Sequence, residues 1–214
     1  MTVAVKAGFA QGMFEDGARM ARLDVVFANR YLGALASYRR SEPASECWRV
    51  ALEATDDRRP ILLQHLLLGM NAHINLDLGV AAAETAPGPA FASLKNDFDR
   101  INQILANSID RVQADVGSLS PALSLLDRVG GRTDEAIINF SIDRARQCAW
   151  TFASQLAARP SSAWAEAIAS QDRQIASLAR RIATPRPWVT VSMLWIRVRE
   201  SWDVRRNIDV LSAS

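Results

Sequence analysis

From Pro60 to Gly79 the chain runs PILLQHLLLGMNAHINLDLG, an apolar stretch with no proline or turn cluster inside it. Strands usually span about 4 to 8 residues, so a run of this length reads as a helix. At about 100° per residue, with His65 set at zero, Gly69 falls at about 40°, His73 at about 80° and Asp77 at about 120°. Gln64, Asn71 and Asn75 gather on the other side, at about 260°, 240° and 280°. Leucine, isoleucine and methionine fill the arcs between the two polar stripes, which leaves no charged face of the kind a surface helix carries. The expectation is a buried central helix at about residues 60–83. Its polar groups must each find a partner or line a cavity, because an unpaired buried amide or imidazole costs about 1 to 3 kcal/mol.

The rest of the chain repeats at helical period too, and alternating strand-like runs are missing. Asp16 to Ser37 carries Met20, Leu23, Val26, Phe27, Tyr31 and Leu35 at three- and four-residue steps and ends at Ser41-Glu42-Pro43. Cys47 to Ala54 forms a shorter helix, Pro60 suits the first turn of the central one, and Thr85 to Pro89 breaks it. Further helices are expected from Phe91 to Val116, from a Thr133 cap to Ala158, from Ala163 to Ala183 and from Val189 to Leu211. Ser120-Pro121, Gly130-Gly131, Arg159-Pro160 and Thr184 to Pro187 punctuate them. With no repeat and no long linker, the class is all-α. It is a single-domain helical bundle over residues 1–214, with residues 1–12 expected to be flexible ahead of the first helix.

Composition excludes several functions. The 25 basic and 23 acidic residues nearly cancel, and arginines such as Arg39, Arg40, Arg58 and Arg59 are scattered among acids, so nucleic acid is not an expected partner. Cys47 and Cys148 have neither metal nor redox spacing, which suits a reduced, cytoplasmic setting. No stretch approaches the roughly 18 uninterrupted apolar residues of a membrane span, and the N-terminus lacks an export pattern, so no membrane partner is expected.

Three chemistries compete for the polar residues. His73 and Asp77 lie one turn apart, where a carboxylate can orient an imidazole for general acid–base work, and His65 lies two turns upstream. These are the chain's two histidines. In the helix that begins near Phe91, Phe98, Ile101, Leu105 and Val112 make the buried stripe, and Asp97 at its edge is expected to supply a second carboxylate facing His73. His65, His73, Asp77 and Asp97 together could instead hold a divalent metal ion, the one cofactor these residue types suggest; nothing points to a nucleotide cofactor. Asn71 and Asn75 read first as ties to neighbouring helices and, on a cavity wall, as ligand-binding groups with Asn102 and Arg144. Arg144 is more simply a partner for Asp143 or Asp97. Trp48, Trp150, Trp195 and Trp202 are assigned to the core, and Arg197 with Glu200 to ordinary surface pairing.

The run PILLQHLLLGMNAHINLDLG, followed by NDFDRIN, GGRTDEAIINFSI and IRVRE, resembles a bacterial family catalogued as domain of unknown function 5995, from about Leu23 onward. That resemblance implies a helical fold and transfers no catalytic residue. HLLLG with His-x-x-x-Asp is also similar to zinc-dependent phospholipases C, but those enzymes use several more histidines and a free N-terminal residue, so a trinuclear zinc site is not expected. The leading expectation is an enzyme acting on a small, partly apolar molecule by His/Asp acid–base chemistry, in a cyclase, isomerase or lyase type step of specialised metabolism. The alternatives are a divalent-metal hydrolase using the same cluster and a non-catalytic helical binding or assembly protein.

Overall fold

In a computed structural model, residues 8, 9, 11–101, 141–185, 193–198, 200, 203, 205 and 209 are described. The described chain is all-α, with no strand. Helix α1 spans Gly17–Arg39 and α2 Glu46–Glu53. The central helix comprises α3 (Leu62–Ala72), a π-helical segment (His73–Leu78) and α4 (Gly79–Thr85). A 3-10 segment at Gly88–Leu94 leads into helical residues 95–101, and α5 (Ile142–Ala157) and α6 (Trp164–Ala183) follow. The central helix is apolar and long enough to cross a membrane by length and composition, yet 72% of its most apolar window is buried inside the bundle.

Neighbouring helices hold the central one along different parts of its length. Helix α6 packs on α2 and α3, α5 on the π segment and α4, and α1 crosses the π segment and α4. Gly79 sets the closest approach, since a Cβ there would lie 2.8 Å from Phe152 Cδ1 and 3.1 Å from the Ala149 carbonyl oxygen. Against α6 the contact is polar. The Gln64 side-chain amide donates to the Ile182 carbonyl at 2.7 Å, Asn71 donates to the Ile175 carbonyl at 3.1 Å, and Asn75 donates to Asn71 Oδ1 at 3.0 Å. All three amides are buried, so the Gln64, Asn71, Asn75 stripe is satisfied within the protein.

Two helix N-termini are capped from far away in sequence. The chain ahead of a third, α1, is held by a distant carboxylate, while Asp16 caps the helix itself through the Arg19 N–H. Ile61, which precedes α3, has no side-chain oxygen; Glu200 accepts from the Leu62 N–H at 2.9 Å, while Gln64 reaches back to the Ile61 N–H at 3.0 Å. Ser45 makes no side-chain cap at α2, and Asp172 accepts from the Glu46 and Cys47 N–H groups instead. Asp97 accepts from the Glu15 and Asp16 N–H groups just ahead of α1. Glu200 and Asp172 satisfy donors that a helix start leaves open and stand at the positive end of the helix dipole.

Several boundaries and environments differ from the sequence reading. The central helix starts at Leu62, with Pro60 in the bend before it, and the helix expected from Phe91 opens instead with a 3-10 turn. Ser141 is extended (φ −113°, ψ 127°) and its hydroxyl accepts from the Arg144 N–H, so it starts a helix where continuity from Thr133 was expected. Leu105, Val112, Asn102, the Thr133 cap, Trp202 and most of residues 1–12 and 189–211 lie outside the described residues, although Phe9 rests on Phe14 at 5.0 Å. Trp195 is 51% exposed rather than core. Arg197 and Glu200 do pair, at 3.6 Å, but with both side chains largely buried because Glu200 is drawn in to cap α3.

Two outcomes follow from this packing. Asn71→Leu removes both the Ile175 bond and the acceptor for buried Asn75, and is expected to cost about 1 to 3 kcal/mol, read from denaturant melts with an unchanged slope. His65 is half-buried, and its Nδ1 is enclosed with no hydrogen-bond partner among the described residues. Burial lowers its pKa, the Arg197 charge adds to the effect and Asp57 partly opposes it. The unfolded chain therefore takes up the proton first, and stability is full above the ordinary histidine value of about 6.5 and falls as pH drops through it. His65→Gln should lose less melting temperature than the parent between about pH 7.5 and 5.5. An equal loss in both proteins would contradict that assignment, since all other titrating groups are common to the two.

Candidate functional site

The π segment places His73 and Asp77 over one another. A π turn closes i→i+5 hydrogen bonds, is wider than an α turn, and is uncommon except as short insertions, frequently at functional sites. Here it carries residues His73–Leu78 and brings His73 Nδ1 to 3.2 Å from Asp77 Oδ2. Asp77 is buried, and its two oxygens take further donors from two other helices. The Trp48 indole N–H donates to Oδ2 at 2.8 Å from α2, and Arg30 Nε donates to Oδ1 at 3.0 Å from α1. Arg30 also lies 3.9 Å from Glu84 of α4. A buried carboxylate is tolerable when it is paired and hydrogen-bonded in this way.

The imidazole of His73 is held in an aromatic setting. Phe27 stacks on it nearly face to face, with ring centroids 3.6 Å apart and planes 7° from parallel. Tyr31, one turn further along α1, and Trp48 approach it at 5.9 and 6.0 Å. Tyr31 is 38% exposed and the His73 side chain 27%, so the site opens to solvent at the bundle surface. Because the Asp77 carboxylate accepts, the hydrogen-bond network assigns the His73 proton to Nδ1 and leaves the Nε2 lone pair free of Asp77. Cys47, next to Trp48, is fully buried, and burial together with Asp172 pushes its thiol pKa up, which makes it a poor nucleophile.

The other expected site residues are elsewhere. Asp97 is wholly buried with its oxygens on the Glu15 and Asp16 N–H groups and 3.5 Å from Arg19, so it secures the start of α1 instead of facing His73. His65 lies within electrostatic reach of Arg197 and Asp57, near the start of α3. Among the described residues no three His, Cys, Asp or Glu side chains group closely enough to hold a metal ion, so the His65, His73, Asp77, Asp97 set is not assembled. Asn71 and Asn75 spend their amides on each other and on α6. Arg144 is exposed at the first turn of α5, and Asn102 lies outside the described residues.

A cavity of about 370 Å³ lies at the other end of the central helix, between α2, Asp57 to Pro60, the end of α6 and Met193-Leu194. Its three arginines are matched by acids, Arg49 by Glu53, Arg59 by Asp57 and Arg180 by Glu46, so it has no marked preference for an anion. Arg30, Trp48 and Phe27 are the site residues that sequence reasoning missed. A signal existed for Arg30, three residues after Phe27 on the apolar side of α1, because an aspartate on a buried helix calls for a cation. Trp48 gave no signal beyond its buried position, since which acceptor its indole reaches depends on tertiary packing.

No curated protein and no solved structure matches the chain. Over residues 1–185, which include every group described around His73, the chain matches one family model, and it belongs to the family of unknown function DUF5995.

Proposed function

We propose that the protein is an enzyme that moves a proton on a small, partly apolar molecule, with His73 Nε2 as the general base and then acid. The observation that carries this reading is the buried Asp77 carboxylate on His73 Nδ1, with the ring itself reachable from solvent. Such a partner fixes the tautomer and orientation of an imidazole and stabilises the imidazolium formed when Nε2 takes a proton. Arg30 and Trp48 act as positioning residues that keep Asp77 in place, and Phe27 fixes the plane of the ring. Aromatic walls favour a substrate with an apolar body. In proton abstraction next to a carbonyl, as in isomerase, lyase or cyclase steps, Nε2 takes the C–H proton, the electron pair passes into the enolate and the imidazolium returns a proton to carbon, so no nucleophile is required.

A ketone probe tests the chemistry without knowledge of the natural substrate. In D₂O, exchange of the protons next to the carbonyl of 2-octanone is expected to depend on the protein. His73→Ala should lower that exchange about 100-fold or more, the lower range for loss of a general base, while circular dichroism and melting temperature stay close to the parent. Exchange that is equal in the two proteins, or no faster than in buffer, would remove the acid–base reading. Unfolding of His73→Ala would assign the ring a structural role instead.

A further inference from the structure

Taking a proton from the carbon next to a carbonyl moves charge onto the carbonyl oxygen, so the proposed chemistry needs a donor at that oxygen as well as a base at the carbon. His73 cannot serve as both. Its Nδ1 proton is held by Asp77, and its Nε2 lone pair accepts. The neighbouring donors are engaged as well. The Trp48 indole N–H and Arg30 Nε both donate to Asp77, and the Arg30 charge is shared between Asp77 and Glu84. The side-chain amides of Asn71 and Asn75 bond on the side of the central helix that faces α6.

The chain has two tyrosines, and their hydroxyls differ. Tyr38 donates to Asp56 at 2.8 Å, whereas the Tyr31 hydroxyl makes no hydrogen bond with any described residue. Tyr31 follows Phe27 by one turn, on the side of α1 that buries Met20, Leu23 and Phe27. Its ring centroid lies 5.9 Å from that of His73 and 5.3 Å from that of Trp48, and those two lie 6.0 Å apart. The three rings form a triangle of nearly equal sides. Trp48 is its buried corner, while His73 and Tyr31 are the corners that meet solvent. A small molecule that reaches the imidazole from solvent therefore arrives beside a phenol whose hydroxyl is unspent.

We infer that the Tyr31 hydroxyl is a second catalytic group, the donor to the carbonyl oxygen of the substrate while His73 Nε2 takes the proton from the adjacent carbon. This deepens the acid–base reading and rests on it for the role of Nε2. The N–H bond forms as the C–H bond breaks, the C–H electron pair becomes the carbon–carbon double bond of the enolate, and the carbonyl π pair moves to oxygen. Tyr31 stabilises that oxygen and keeps its own proton. The imidazolium then returns a proton to carbon, so no further reactant is consumed. The donor is uncharged and Arg30 is already matched by two acids, so the substrate this pair suits is a ketone or aldehyde rather than a carboxylate.

Tyr31→Phe keeps the ring and its packing and removes only the hydroxyl. 2-Octanone labelled with ¹³C at its carbonyl reads the hydrogen bond by NMR, because a donor on the oxygen moves the carbonyl carbon downfield. At saturation that carbon is expected downfield in the parent relative to Tyr31→Phe. Exchange of the adjacent protons in D₂O should fall about tenfold or more in Tyr31→Phe with little change in ketone affinity, less than the roughly 100- to 1,000-fold lost with a donor in a water-excluded site, because Tyr31 meets solvent. The same carbon position in both proteins, no shift on adding the parent protein, or exchange as fast in Tyr31→Phe as in the parent overturns the assignment. The two readings fail separately. A carbon shift that depends on Tyr31, without exchange above buffer, would keep the donor and refute the chemistry, whereas exchange that needs His73 but not Tyr31 would do the reverse.

Discussion

The rotation of the central helix about its own axis decides which residues the protein can present, and three buried amides set it. Leucines alone would hold this helix poorly in register, because its apolar residues cover most of the circumference and several rotations would bury a similar area. Hydrogen bonds are directional, and a buried amide without its partner is expensive. Gln64 on the Ile182 carbonyl, Asn71 on the Ile175 carbonyl and Asn75 on Asn71 are satisfied in one rotation. That rotation turns His65, Gly69 and His73 away from α6 and toward the half-open side. The polar stripe that looks structural is therefore what orients the stripe proposed to carry the chemistry.

A second dependence runs through Asp77. Its oxygens receive donors from α1, from α2 and from within the π segment, so one carboxylate ties three parts of the bundle to the same point. Breaking such a buried pair by removing one partner is costly, since the other charge is left uncompensated. His73 differs, because it is partly exposed and contributes one of the three donors. Asp77 is thus bound up with the fold in a way that His73 is not, so the structural role and the proposed chemical role divide between two residues one turn apart.

The sequence made much of this legible. The period of the apolar residues gave the helices, and the wheel separated the two polar stripes before any contact was known. It also paired His73 with Asp77 through their spacing alone. What it could not supply was long-range. Asp97 looked available because it sits at the edge of a buried stripe, but the N–H groups it serves belong to residues 15 and 16, which no local pattern connects to it. The same holds for Glu200, which read as a surface charge and caps α3, and for Asp172, which drew no sequence reading and caps α2, both far away in sequence. The π turn was also hidden, since the wheel assumed a constant angle per residue. The central helix looked apolar all round, and its half-exposed arc appears only once its neighbours are placed.

Local rules are broken close together along this chain. A wide helical turn, an aspartate in a buried position, a helix-interior glycine with empty space above it and an apolar face half-open to water all fall between Leu62 and Leu78. Each works against stability. Elsewhere many choices agree with the fold, since alanines line the contact of α5 with α4, carboxylates meet helix starts and Gly79 sits where a side chain could not, although α1 also carries Gly33 under open space and exposed Val25 and Leu32. Proteins tend to break such rules at the sites they use, and compensate around them. The compensation is visible here, because the amide ladder and the Glu200 cap on α3 secure the same helix that carries the costly features. A purely structural role for the segment would account for Asp77 and the amides, which all have partners. It would leave unexplained why the His73 ring stays reachable from solvent beside a buried carboxylate, the feature on which the acid–base proposal rests.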